Sequence, residues 1–126
     1  MRLVIDSSIL IDSLRGGKRS ERFFDTIESD SELFIPTIVI YELFCGVSSS
    51  IPSVRIKILN LIDKFKRIEL TEEIAIQAGG FYRKLGSQID AQDYIIAASA
   101  LSINAQIVTL NTKHFEKIPG LRLYPV

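Results

Sequence analysis

Short apolar runs alternate with stretches of helical spacing along this chain. Leu3 to Ile5 is an apolar run ending at Asp6, the pattern of a buried strand. Ser7 or Ser8 can cap a short helix carrying Ile9, Leu10 and Leu14, which Gly16-Gly17 stops. Lys18 to Ser29 shows helical spacing through Phe23, Phe24 and Ile27. Leu33 to Ile35 predicts a second strand, and Pro36-Thr37 opens a helix to Gly46 with Thr37 as its cap. Four Ser and one Pro make Val47 to Ser53 a loop. Val54, Ile58, Leu61, Ile62 and Phe65 form a helical stripe over Val54 to Lys66. Ile68 to Leu70 predicts a third strand. Thr71 to Gly86 then predicts a helix with Glu72 and Glu73 in its first turn, where the helix dipole favours acids. Asp90 to Ile103 reads as a further helix, Gln106 to Leu110 as a fourth strand and Leu121 to Tyr124 as a fifth.

Strands alternating with helices argue an α/β fold of three layers, a short parallel central sheet with helices on both faces. Such sheets bind ligands beyond the carboxyl ends of their strands, where strand order reverses. The 126 residues, 47% of them hydrophobic, suit one domain over residues 1–126. A mean hydropathy of +0.23 argues against disorder. The single cysteine, Cys45, allows no internal disulfide, no apolar run approaches membrane-spanning length, and the amino terminus reads as a strand in place of a signal peptide. These features predict a soluble, cytoplasmic protein without a membrane partner.

Charge changes the picture only through its distribution. Fifteen Lys plus Arg balance fifteen Asp plus Glu, so the total does not announce a polyanion. Arg15, Lys18, Arg19 and Arg22 nevertheless crowd one segment, and Arg55, Lys57, Lys64, Lys66 and Arg67 another. Taken alone, such runs read as solvated surface.

Four polar residues interrupt apolar surroundings: Asp6 after the first strand, Glu42 within Ile38 to Phe44, Asp93 in the first turn of the Asp90 helix, and Asn111 after the fourth strand. Three carboxylates and an amide on one rim make a hard oxygen donor set suited to Mg²⁺ or Mn²⁺. Such a cluster repels itself unless it holds cations, and two such cations can activate water and stabilise the leaving oxygen of a phosphodiester. Each residue also has a plainer role. Asp6 and Asn111 suit turns, Glu42 suits pairing with a cation, and Asp90 with Asp93 suits a capping box, the preferred reading for Asp90. His114, the sole histidine, excludes a histidine-based metal site and falls on a short surface helix. Gly79-Gly80 reads as a close-packing point in a helix, and Cys45 as a small buried hydrophobe.

The order of these segments resembles a known family. Leu3-Val4-Ile5-Asp6-Ser7-Ser8-Ile9-Leu10-Ile11-Asp12 resembles the opening of PIN-domain nucleases, and Thr37-Ile38-Val39-Ile40-Tyr41-Glu42-Leu43 their second motif. Asp90-Ala91-Gln92-Asp93-Tyr94-Ile95-Ile96-Ala97-Ala98 resembles the third and Val108-Thr109-Leu110-Asn111-Thr112-Lys113-His114-Phe115 the fourth. The compact form is most similar to VapC toxins of toxin–antitoxin pairs. The resemblance implies a PIN-like fold and a Mg²⁺- or Mn²⁺-dependent endoribonuclease acting on single-stranded or tRNA-like RNA. It further implies a homodimer and a small antitoxin-type inhibitor whose C-terminal segment docks near the active site. Asp6, Glu42 and Asp93 match the metal-binding acids, and Asn111 a position that is often Asp.

On this reading Asp6 and Asp93 bind the principal metal, while Glu42 completes its outer shell or bridges to a second metal and orients the attacking water. Asn111 and Thr109 position water or phosphate, Ser7 or Ser8 offers a hydroxyl or backbone N–H, and Asp90 acts through water. Arg15, Lys18, Arg19 and Arg22 steer RNA without reading its sequence. The alternative is a catalytically silent PIN-fold RNA-binding or docking module. The high hydropathy suits a dimer contact through the Val54–Phe65 or Thr37 helix faces.

Overall fold

A computed structural model describes residues 1–126. The run after Met1 forms β1 (Arg2–Ile5), whose Leu3, Val4 and Ile5 are all fully buried. A strand sealed on both faces needs covering layers on both sides, and its unbroken apolar stretch supplies the matching surface. The chain continues through α1 (Ser7–Leu14), α2 (Lys18–Thr26), β2 (Glu32–Pro36), α3 (Thr37–Phe44), a 3₁₀ turn over Val47–Ser50, and α4 (Pro52–Ile62). Then come β3 (Lys66–Ile68), α5 (Glu72–Leu85), α6 (Ala91–Ser102), β4 (Gln106–Val108) and α7 (Thr112–Phe115).

All strand pairs are parallel, in the order β3-β2-β1-β4. Val4 lies opposite Phe34 on one side and Ile107 on the other. The chain builds outward from β1 to β3, then returns to place β4 against the free edge of β1. Strand order therefore reverses between β1 and β4, and the predicted ligand crevice lies past Ile5 and Val108. A core of 26 buried hydrophobic residues surrounds the sheet. No helix is long and apolar enough to cross a membrane.

Several boundaries differ from the sequence expectation for local reasons. β3 pairs Lys66, Arg67 and Ile68 with Phe34, Ile35 and Pro36, two residues earlier than the apolar run suggests, so Leu70 lies outside the strand and half exposed. α4 starts at Pro52, a residue suited to a first turn, and stops at Ile62. Arg67 Nη1 donates to the Ile62 and Phe65 carbonyls beyond that end, both at 2.6 Å. The predicted fifth strand is a single bridge, Ile107 to Leu123. Ile107 donates to Arg122 and Tyr124 donates back to Ile107, but Pro125 has no N–H to extend the ladder. Cys45 follows the last residue of α3 and is exposed, not buried. A Cβ at Gly79 would meet nothing within 4 Å, so that glycine serves no close packing.

Candidate active site

Asp6 leaves β1 directly into α1 and is 1% exposed. It occupies the N-cap position, yet its side chain makes no cap bond. Its Oδ2 instead accepts hydrogen bonds from Ser8 Oγ and Thr109 Oγ1, each at 2.8 Å. Those hydroxyl oxygens in turn accept the backbone N–H groups of Leu110 and Asn111, both at 2.9 Å. The loop leaving β4 thus clamps the residue leaving β1. Asp6 Oδ1 is buried and has no partner.

Glu42 lies in the last turns of α3, half-buried, and its Oε1 is a second buried carboxylate oxygen without a partner. Burial pushes its pKa up to about 7, the charges of Asp6, Asp93 and Asp90 add to the rise, and a hydrogen bond from Ser7 opposes it. Asp93, 7% exposed in the first turn of α6, is likewise raised. Burial is the main cause, and the neighbouring charges of Asp6 and Asp90 contribute, against a lowering contact from His114. The charges acting on Glu42 and Asp93 put Asp6 and Asp90 in the same region. No three His, Cys, Asp or Glu side chains converge closely enough to hold one ion between them, however.

The other predicted residues divide. Asp90 stands at the N-cap of α6 but makes no side-chain cap bond, so the expected capping box with Asp93 is absent. The Asn111 side chain is exposed and also fails to cap, α7 in its case, while its backbone joins the Thr109 network. Of the basic cluster, Arg15 lines a cleft of about 310 Å³ that also includes Glu42 and Lys57. Arg19 and Arg22 line a separate cavity with Phe23 and Tyr124, and Lys18 pairs with Glu21 at the surface. Two residues escaped the sequence reading. Lys57 belongs to the second basic segment, and only folding brings it to the cleft that Glu42 also lines. His114 sits on a short helix as expected, but its Nδ1 lies 2.8 Å from Asp93 Oδ2. Its place in the fourth motif was the available signal.

The donor chemistry fits a hard divalent cation: carboxylate oxygens at a sheet switch point, two of them buried and unpartnered. The PIN-domain family model matches residues 3–121. The chain belongs to the PIN-domain family. Ribonuclease VapC19 of Mycobacterium tuberculosis is 31% identical over 126 residues, covering 94% of this chain and 96% of that protein. Ribonuclease VapC of Rickettsia bellii is 31% identical over 134 residues, covering all of this chain and 97% of its own. Among solved structures, a chain of VapBC-1 from nontypeable Haemophilus influenzae superposes with a TM-score of 0.81 at 26% identity, covering 98% and 97% of the two chains. The parallel sheet flanked by helices is the PIN fold, and Asp6, Glu42 and Asp93 occupy its switch-point end.

Proposed function

We propose that this single PIN domain is a Mg²⁺- or Mn²⁺-dependent endoribonuclease, the toxin of a VapBC-type pair. The observation that carries the reading is the pair of unpartnered buried oxygens, Asp6 Oδ1 and Glu42 Oε1, in a region where burial and neighbouring carboxylates raise the pKa of Glu42 and Asp93. Relatives named ribonuclease VapC and a VapBC structural neighbour support the activity and a small antitoxin-type partner. A divalent cation bound by Asp6 and Asp93, with Glu42 reaching it through water, would supply Lewis acidity toward a phosphodiester and lower the pKa of water.

The chain's own residues prepare that chemistry. Ser8 and Thr109 hold Asp6 in one rotamer through Oδ2, which leaves Oδ1 facing the site. Glu42, whose metal-free pKa is pushed up to about 7 by burial and would fall beside a cation, would orient water. Asp90, whose charge acts on Glu42 and Asp93, would contribute through water. Asn111 offers a neutral amide for water or phosphate, while Ser7 supports Glu42. Arg15 and Lys57 give the cleft beside Glu42 a positive wall for the RNA backbone, and Lys18, Arg19 and Arg22 add a broader attraction. The free Cys45 suits the reducing cytoplasm.

Purified protein incubated with structured and single-stranded RNA tests the reading. Cleavage that needs Mg²⁺ or Mn²⁺ and stops in EDTA or on Glu42→Gln is expected. RNA binding without cleavage at any metal concentration would instead favour the silent binding module.

A further inference from the structure

We propose that His114 is the positioning residue of Asp93: its imidazole holds one carboxylate oxygen so that the other is presented to the divalent cation. The proposal rests on the metal-nuclease reading above. His114 Nδ1 and Asp93 Oδ2 are 2.8 Å apart, and this is the one hydrogen bond the Asp93 carboxylate makes. The Asp93 side chain is only 10% exposed, so solvent does little to orient it. An ionised carboxylate can only accept, so Nδ1 carries the proton and donates.

The imidazole is delivered by a rigid support. His114 N–H bonds the Asn111 carbonyl, the next residue, Phe115, is fully buried, and Ile118 N–H bonds the Phe115 carbonyl. The short α7 is therefore anchored in the core on one side of His114 and tied to the β4 exit on the other. The same exit holds Asp6: Thr109 donates to Asp6 Oδ2 just as His114 donates to Asp93 Oδ2. One short segment after β4 thus supplies a donor to each of two aspartates that arrive from distant parts of the chain. In each carboxylate one oxygen is occupied and Oδ1 is left without a hydrogen bond. Partners of this kind fix the ligand before metal arrives, and losing them weakens metal affinity although they never touch the ion.

The competing account is a half-exposed His–Asp pair of marginal value to stability. That account predicts at most a change in melting and none in metal affinity. The full-length protein, stripped of metal, would be titrated with Mn²⁺ and the free ion followed by electron paramagnetic resonance, with circular dichroism as the fold control. His114→Ala should raise the Mn²⁺ dissociation constant by about 10- to 100-fold. His114→Asn places an amide nitrogen where Nδ1 stood and should restore most of the affinity. His114→Gln places it where Nε2 stood and should not. Since His114 is the sole histidine, nitrogen NMR of the wild type above neutral pH reads one ring, which should be protonated at Nδ1.

Unchanged Mn²⁺ affinity in folded His114→Ala overturns the proposal, as does equal rescue by Gln and Asn, or an Nε2-protonated ring. If the alanine variant fails to fold, the Asn and Gln pair decides alone. Wild-type protein that binds no Mn²⁺ overturns the metal reading itself and this proposal with it.

Discussion

Asp6 gives one oxygen to two hydroxyls and leaves the other buried with no donor, an arrangement that costs roughly 1–3 kcal/mol in an aspartate with a purely structural role. Asp6→Asn keeps the shape and an acceptor for Ser8 and Thr109 while removing one of several like charges. The variant should lose RNA cleavage and bind Mn²⁺ weakly, yet in EDTA be as stable as wild type or more stable by about 1 kcal/mol. Thermal melts in EDTA and in Mn²⁺, beside a cleavage assay, check both halves. An aspartate held in a salt bridge would show the opposite sign, a loss of apo stability. Glu42 adds a pH dependence. Its folded pKa of about 7 exceeds the ordinary 4.5, so the folded chain binds more protons between those values. Its contribution is full below the unfolded pKa and is lost as pH rises through about 7. Asp93, also raised, acts in the same direction. The metal-free protein should therefore lose stability from about pH 5 to pH 8, by about 1–2 kcal/mol after solvent screening of the half-buried Glu42. Glu42→Gln should flatten this slope in denaturant titrations.

The junction of α1 and α2 shows how a helix is fixed by a residue outside it. Asp12, inside α1, accepts the Ser20 backbone N–H of α2 at 3.0 Å, which satisfies a first-turn donor that Gly17 at the N-cap leaves open. The Ser20 side chain and then its backbone N–H, with Arg19 and Arg15 nearby, hold the Asp12 carboxyl below its ordinary range. A Cβ on Gly17 would overlap that carboxylate. Asp12→Ala should lower stability, because the Ser20 N–H loses its acceptor. Gly17→Ala should destabilise the wild type but become nearly neutral in the Asp12→Ala background, a non-additivity that urea denaturation of the four proteins would measure. Sequence made most of the fold readable: the apolar runs of β1, β2 and β4, the periodic helices and the Gly16 stop, which adopts φ +71°. The gathering of Asp6, Glu42 and Asp93 in one region was legible because each interrupts an apolar run near a strand end. Register was not legible. Leu70 looked like strand, but pairing with Pro36 ended β3 at Ile68. The capping box of Asp90 and Asp93 follows sequence spacing that the side chains do not use. His114 meets Asp93 across 21 residues, a distance over which spacing carries no signal.

Apolar side chains remain at the surface on two sides of the molecule. Tyr41 on α3 and Ile56 and Leu59 on α4 are exposed, the faces expected from sequence to carry a dimer contact. α3 and α4 also line the cleft holding Glu42, Arg15 and Lys57, so a copy seated there would compete with RNA or an inhibitor. The second side is free of that conflict. Ile76 is 69% and Tyr82 51% exposed on α5, beside an apolar groove formed with α6 by Leu70, Ala75, Ala78, Tyr94 and Ile95. Gly79 in the same groove presents no side chain, so a neighbouring backbone is able to approach closely. A contiguous apolar surface of this kind is uncommon on a monomer and common at an isologous contact, where each copy covers the other. The protein should therefore have twice its 14.2 kDa chain mass by light scattering at micromolar concentration. Ile76→Asp with Tyr82→Asp should return it to one chain mass without unfolding it, because both side chains are already half or more exposed. Ile56→Asp should leave the dimer intact. A wild type that scatters as a single chain would remove the homodimer from the functional reading, and dissociation by Ile56→Asp alone would move the contact to α4.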